Sequence, residues 1–345
     1  MKQTREAEKT LYGTTMKPLE DKFGRRIEQV RLSVTDRCNL RCVYCTPEGG
    51  GKPFSHHDIL RYEEIVRLAK IFVKLGISKL RITGGEPLVR KDVVNLVKKV
   101  RRIQGLQSVP MTTNGTLLAQ FAQPLKKAGV TQLNVSLDTL NRDKYREITG
   151  FDKLGDVIKG IQAARAAGIP VRLNVVPVRG WNDSEVLDFA ELAHAEGLTV
   201  RFIEFMPFSK NQWDPGKFIP TEELRATIGR RYTLLREGRD YHSAPAEYFR
   251  VKDKKGKIGF ITSVTGSFCA ACNRLRVTAD GRIKPCLHSG VEFDLRGPMR
   301  DGALDEELVE VMEKAVASKP EEHPNFLDAK EKLRLPGREM CRIGG

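Results

Sequence analysis

The chain has 345 residues, 40% of them apolar, enough for one large domain with an appendage or for two domains. Its formal net charge of +15 favours an anionic partner: nucleic acid, nucleotide phosphate or an acidic protein. No apolar run is long enough for a membrane span, and the charged start Met1–Thr10 lacks the apolar stretch of an export signal, so a cytoplasmic protein is expected.

Residues 1–25 are polar and read as a flexible extension. Short β-branched segments then alternate with helical ones through residues 26–215. Strands are predicted at Gln29–Val34, Lys79–Thr83, Val109–Thr113, Gln132–Leu137, Val171–Val178 and Thr199–Met206. Helices are predicted near 61–75, 91–104, 117–128, 156–167 and 183–196, with Gly76, Gly129, Gly168 and Gly197 as C-terminal caps. Repeated βα units imply a parallel sheet, and six fall short of the eight that close a barrel. The expected fold is α/β, an open (βα)6 TIM-type partial barrel, with a flat doubly wound sheet as the competitor. In both, functional loops sit at the carboxyl ends of the strands.

The pattern changes over residues 216–345. A helix is predicted over 221–229, then Tyr232–Arg236, Glu247–Val251, Lys257–Val264 and Leu275–Ala279 alternate like antiparallel strands. Ala279-Asp280-Gly281-Arg282 reads as a hairpin turn, and a charged helix follows near 305–317. This stretch is expected to be a C-terminal antiparallel α+β region.

Six of the seven cysteines form two triplets: Cys38, Cys42 and Cys45, then Cys269, Cys272 and Cys286. An odd count without an export signal points to metal binding rather than a disulfide framework. Three thiolates suit an iron–sulfur cube and leave one iron open to a small molecule. Zinc is the alternative, needing a fourth ligand such as His56 or His57 for the first triplet and His288 for the second. Cys341 has no cysteine near it in sequence and reads as a bystander.

The first triplet follows the first strand with Tyr44 before its last cysteine, and Gly84-Gly85-Glu86-Pro87 follows the second strand. This arrangement resembles the signature of the radical S-adenosylmethionine superfamily. The resemblance implies a cluster whose open iron chelates S-adenosylmethionine, with Tyr44, Gly85, Ser136 and Met206 contacting that cofactor.

The second triplet sits in Cys-Asn-Arg-Leu-Arg-Val-Thr-Ala-Asp-Gly-Arg-Ile-Lys-Pro-Cys-Leu. That run, Arg81-Ile82-Thr83-Gly84-Gly85-Glu86-Pro87, Thr112-Thr113-Asn114-Gly115, Ala246-Glu247-Tyr248 and the terminal Gly344-Gly345 resemble the GTP 3′,8-cyclase family of molybdenum cofactor biosynthesis. The resemblance covers roughly residues 18–345. It implies a lyase that moves a ribose 3′ hydrogen to a 5′-deoxyadenosyl radical and closes carbon 3′ on guanine carbon 8. It implies two 4Fe-4S clusters, with GTP held by the second and by Arg31, Arg81, Thr112, Arg172, Arg274, Leu275 and Arg276. Arg172 stands where relatives commonly carry lysine, and Gly344 and Gly345 are implied to enter the site. Also implied are a homodimer, a flavodoxin- or ferredoxin-type electron donor, and cyclic pyranopterin monophosphate synthase as the next enzyme, with no membrane or nucleic-acid partner. Competing readings are a peptide- or RNA-modifying radical enzyme with an auxiliary cluster, and a non-catalytic metal protein that binds nucleic acid.

Overall fold

The computed structural model describes residues 16–45, 52–208, 211, 213–240, 244–266, 268–327 and 338–344. Six parallel strands lie side by side in chain order: β1 (Gln29–Ser33), β2 (Lys79–Thr83), β3 (Met111–Thr113), β4 (Leu133–Ser136), β5 (Val171–Val175) and β6 (Thr199–Ile203). Each falls inside its predicted stretch. The order never reverses, as along a barrel wall and unlike a doubly wound sheet.

Helices α1 (Tyr62–Lys74), α2 (Val93–Arg101), α3 (Leu118–Ala128), α4 (Arg142–Thr149), α5 (Leu154–Ala166) and α6 (Val186–Glu196) connect the strands. In α1 the buried set Ile65, Leu68, Ala69, Ile71 and Phe72 recurs at helical spacing, so one stripe faces the core. The predicted cap Gly129 has φ +95° and donates its N–H to the Leu125 carbonyl at 3.1 Å. Helix α4 was not anticipated. Its signals are local: Asn141 caps the N–H groups of Asp143 and Lys144, and Gly150 ends it at φ +78°.

The remaining elements are α7 (Thr221–Gly229), β7 (Leu234–Gly238), β8 (Glu247–Val251), β9 (Lys257–Ile261), β10 (Arg274–Val277), β11 (Arg282–Lys284), β12 (Phe293–Asp294), α8 (Arg296–Arg300), α9 (Asp305–Ala317) and α10 (Met340–Ile343). The expectation of antiparallel pairing holds for β7–β8, β8–β9, β10–β11 and β11–β12. It fails for two strands: β9 joins β6 and β10 joins β1, both in parallel. One sheet of twelve strands results, ordered β12-β11-β10-β1-β2-β3-β4-β5-β6-β9-β8-β7. Apolar matching explains both joins. Phe260 of β9 stacks on Phe202 of β6 at 6.0 Å, and Leu275 and Val277 of β10 enter the same core as Val30 and Leu32. Among the described residues no pairing joins β12 to β7, so the sheet is open.

Of residues 1–25, residues 1–15 lie outside the described ones. Leu19 is buried against α1, and Arg25 bonds Asp21 at 2.6 Å and the Cys269 carbonyl at 2.7 Å. Among the described residues no helix is long and apolar enough to cross a membrane.

Glu204, just past β6, is the polar pin of this arrangement. Its carboxylate is 1% exposed and accepts from Thr221 N at 2.9 Å, Val264 N at 2.7 Å, Thr265 N at 2.9 Å and Thr265 Oγ1 at 2.6 Å. It ties the start of α7 and the loop after β9 to the end of β6. Glu204→Gln turns an amide N–H₂ toward donors that need an acceptor. The expected cost is about 1–3 kcal/mol of stability, read by denaturant unfolding.

Candidate active site

One face of β1–β6 and the loops at their carboxyl ends line a cavity of about 360 Å³. All six triplet cysteines line it: Cys38, Cys42 and Cys45 from the loop after β1, Cys269 and Cys272 from the turn before β10, and Cys286 after β11. More than two hundred residues of chain separate the two sets, and the sheet brings them to one space.

The first loop is positioned by backbone. Gly85 N donates to the Thr35 carbonyl at 2.7 Å and Glu86 N to the Arg37 carbonyl at 2.8 Å. A Cβ on Gly85 would come within 2.5 Å of the Arg37 carbonyl oxygen, so only glycine permits the approach. Glu86 is fully buried and accepts from Leu88 N at 3.0 Å, Thr113 Oγ1 at 2.8 Å and Asn114 N at 2.6 Å. Burial pushes its carboxyl up to about 7 against those three donors. Asn114 in turn aims its amide at the Cys38 sulfur at 3.7 Å, and Leu40 N lies 3.4 Å from that sulfur. The Gly-Gly-Glu-Pro motif thus holds the cysteine loop from below. The Tyr44 hydroxyl donates to the Asp138 carboxylate, which fixes the ring at the cavity wall.

Cys272 differs in its surroundings from the thiols of the first triplet. Burial raises the Cys38 and Cys42 thiols, with Asp138 adding to the effect at Cys42. Burial also opposes ionisation of Cys272, but Arg274 and Lys319 outweigh it and bring that thiol down to about 6. Soft thiolates in sets of three, with N–H groups directed at sulfur, are a donor set that fits iron–sulfur clusters. Among the described residues, no three His, Cys, Asp or Glu side chains converge as a single-ion site requires. His56 and His57 are exposed and do not line the cavity. His288 does line it, packed against the stacked rings of Phe326 and His323, and burial pushes its imidazole down to about 3, so it is neutral.

Between the triplets lies a field of cations whose placement follows from strand register. Arg31 pairs across to Arg81 on β2 and to Arg276 on β10, so three arginines form one row. Two residues back, Gln29 pairs with Lys79 and Arg274, a second row on the same face. Burial, then Arg276, Arg81 and Arg274, lower the Arg31 guanidinium well below its usual range. Its buried Nε has no hydrogen-bond partner, and neither has the buried hydroxyl of Thr112. Crowded guanidinium groups on one face of a cavity make a site for a polyanion.

Arg172 reaches the cavity but is already paired, with the Asp240 carboxylate at 3.0 Å and the Tyr248 hydroxyl at 3.2 Å. Ser136 and Met206 line the cavity at the ends of β4 and β6. Leu275 does not. It is fully buried in the core, because neighbours on a strand point to opposite faces and Arg274 and Arg276 take the cavity side. Lys79 and Arg201 also line the cavity and were missed, although each lies on a strand at the same alternation as the arginines that were found. Arg201 bonds Asn174 Oδ1 at 3.0 Å.

The C-terminal segment enters the same space. Arg338 bridges Asp280 at 2.6 Å and Glu292 at 2.8 Å, and Arg276 donates to the Gly344 carbonyl at 2.9 Å. Gly344 has φ +74°, and a Cβ there would meet Thr83 Oγ1 at 2.2 Å. No other residue fits that slot between β1 and β2. Gly345 lies outside the described residues. Cys341, read from sequence as remote, is 8% exposed and lines the cavity with Cys45.

Comparison with known proteins agrees with this geometry. Residues 32–193 match the radical SAM superfamily and residues 198–325 match the Molybdenum Cofactor Synthesis C family. A GTP 3′,8-cyclase of Moorella thermoacetica is 47% identical over 328 residues, covering 95% of this chain and all of that one. One from Desulforamulus reducens is also 47% identical, covering 94% and 99% of the two chains. Among solved structures, Streptococcus suis SuiB bound to S-adenosylmethionine superposes with a TM-score of 0.55 at 16% identity. That match covers 77% of this chain and 62% of SuiB and bears on the fold alone.

Proposed function

Since the chain belongs to the GTP 3′,8-cyclase family of the radical SAM superfamily, we propose that it converts GTP to (8S)-3′,8-cyclo-7,8-dihydroguanosine 5′-triphosphate in molybdenum cofactor biosynthesis. The observation that carries the reading is the single cavity lined by both cysteine triplets with the arginine rows between them. The chemistry supplied by the bound cofactors is one-electron cleavage of S-adenosylmethionine, removal of the ribose 3′ hydrogen and closure of carbon 3′ on guanine carbon 8.

The chain's own part is to hold, orient and shield. Cys38, Cys42 and Cys45 would hold the first 4Fe-4S cluster, and Cys269, Cys272 and Cys286 the second; all six line the cavity. The Gly85 backbone would receive the methionyl amine, Tyr44 and Met206 would pack on adenine, and Ser136 would bond the cofactor; all four line the cavity. Arg31, Arg81, Arg274 and Arg276, with Lys79 and Arg201, take the triphosphate, and Thr112 offers its unpartnered hydroxyl. Arg172 would contact GTP through a guanidinium already steered by Asp240. Gly344 closes the site, since Arg276 both faces the substrate and grips the Gly344 carbonyl. The reading extends to a cytoplasmic homodimer that draws electrons from a flavodoxin- or ferredoxin-type donor. Its product passes to cyclic pyranopterin monophosphate synthase.

Anaerobic turnover with GTP, S-adenosylmethionine and dithionite tests the proposal. It predicts 5′-deoxyadenosine together with an equal amount of cyclised dihydroguanosine triphosphate. Formation of 5′-deoxyadenosine with GTP recovered unchanged would remove it.

A further inference from the structure

Gly344 has no side chain by which its slot could hold it, so its place depends on an anchor upstream. Six positions earlier, Arg338 meets two carboxylates from the region of the second triplet. Its Nη1 lies 2.6 Å from Asp280 in the β10–β11 turn, and its Nε and Nη2 lie 2.9 and 2.8 Å from one oxygen of Glu292. The three side chains are 22%, 11% and 17% exposed, so this is a sheltered fork and not a surface ion pair. Short helix α10 leads from there to Gly344. On the way Arg342 donates to the Lys52 carbonyl at 2.8 Å, and Arg338 and Arg342 lie over the Phe54 ring, 5.8 and 4.9 Å from its centre. Phe54 N donates in turn to Asp36 at 2.7 Å, two residues before Cys38. The segment is thus tied to the surroundings of both triplets before Gly344 enters its slot beside Thr83 and meets Arg276.

We infer that Arg338 is a positioning residue for GTP: its fork on Asp280 and Glu292 holds the C-terminal segment so that the Gly344 carbonyl orients the Arg276 guanidinium toward the phosphates. The inference rests on the reading of the cavity as a GTP site. It also separates anchoring from folding. Asp280 accepts from Thr278 Oγ1 at 2.7 Å and Glu292 meets Lys284 at 3.0 Å, so each carboxylate keeps a partner when Arg338 is removed. Loss of the fork therefore releases the tail and leaves the β10–β11 hairpin folded.

The test compares Arg338→Ala and Arg338→Lys with the wild type as full chains loaded with iron and sulfide and kept anaerobic. With the six triplet thiols on iron, Cys341, 8% exposed in the docked segment, is the reporter thiol. N-Ethylmaleimide is expected to alkylate it about tenfold faster in Arg338→Ala, read by mass spectrometry of the C-terminal peptide. GTP affinity by titration calorimetry is expected to fall about tenfold, with iron content and thermal unfolding unchanged. Arg338→Lys keeps the charge without the fork and recovers part of both effects. An unchanged alkylation rate in Arg338→Ala overturns the inference, and so does faster alkylation with wild-type GTP affinity. Loss of iron and of thermal stability in Arg338→Ala overturns it too, because that is the mark of a structural role. Wild-type protein that binds no GTP would instead remove the reading of the cavity, and the positioning role with it.

Discussion

Cys42→Ser is expected to abolish cleavage of S-adenosylmethionine and to halve the iron the chain holds, from about eight to about four per chain. A serine hydroxyl is a hard donor with a high pKa and does not replace a soft thiolate on iron. Cys42 lines the cavity beside Tyr44 and Asp138, so its loss removes the first cluster and leaves the second triplet intact. Cys272→Ser should behave differently, although the iron content falls by the same amount. The first site then still cleaves S-adenosylmethionine, but GTP is no longer held in register, so 5′-deoxyadenosine forms slowly and without cyclised product. Iron analysis and chromatography of the two small-molecule products separate the variants. Equal loss of cleavage in both would mean that the two triplets do not divide the work in this way.

Arg276→Ala carries the second large effect. Arg276 sits in the row with Arg31 and Arg81 and also donates to the Gly344 carbonyl at 2.9 Å, so one side chain serves the substrate and the tail. A charged hydrogen bond in such a site contributes about 1.5–3 kcal/mol, which converts to roughly a 10- to 150-fold loss in GTP affinity. Lysine keeps the charge but not the paired donors, so Arg276→Lys should recover only part of the loss. The unliganded protein should not be destabilised by the alanine change. Burial and Arg274 depress the Arg276 guanidinium to about 10, so its charge is held at a cost while no anion is bound. Titration calorimetry with GTP and thermal unfolding without it check both halves. A structural arginine would give the reverse pattern, with stability lost and GTP affinity kept.

Much of the framework was legible from local signals. All six parallel strands lie where β-branched runs placed them, and the glycines predicted as caps follow their helices. What could not be read was which distant strands would meet. The pairing of Arg274–Val277 with β1 joins segments about 245 residues apart, and no local pattern encodes a partner. The arginines show the same division. Arg31 and Arg81 were recognised as strand residues, but their registration with Arg276 in one row emerges only from the sheet. The run Arg274-Leu275-Arg276 was read as a unit, although strand alternation turns Leu275 into the core. The same alternation could have found Lys79 and Arg201. Cys341 was invisible as a site neighbour because its place on the cavity wall depends on how the C-terminal segment is anchored.

The central claim is that a radical made at the first triplet reaches a GTP held at the second within one cavity. GTP carrying deuterium at ribose carbon 3′ tests this most directly. Anaerobic turnover is predicted to place one deuterium in 5′-deoxyadenosine and none in the cyclised product. 5′-Deoxyadenosine free of deuterium, formed while the labelled GTP keeps its isotope, would contradict the account.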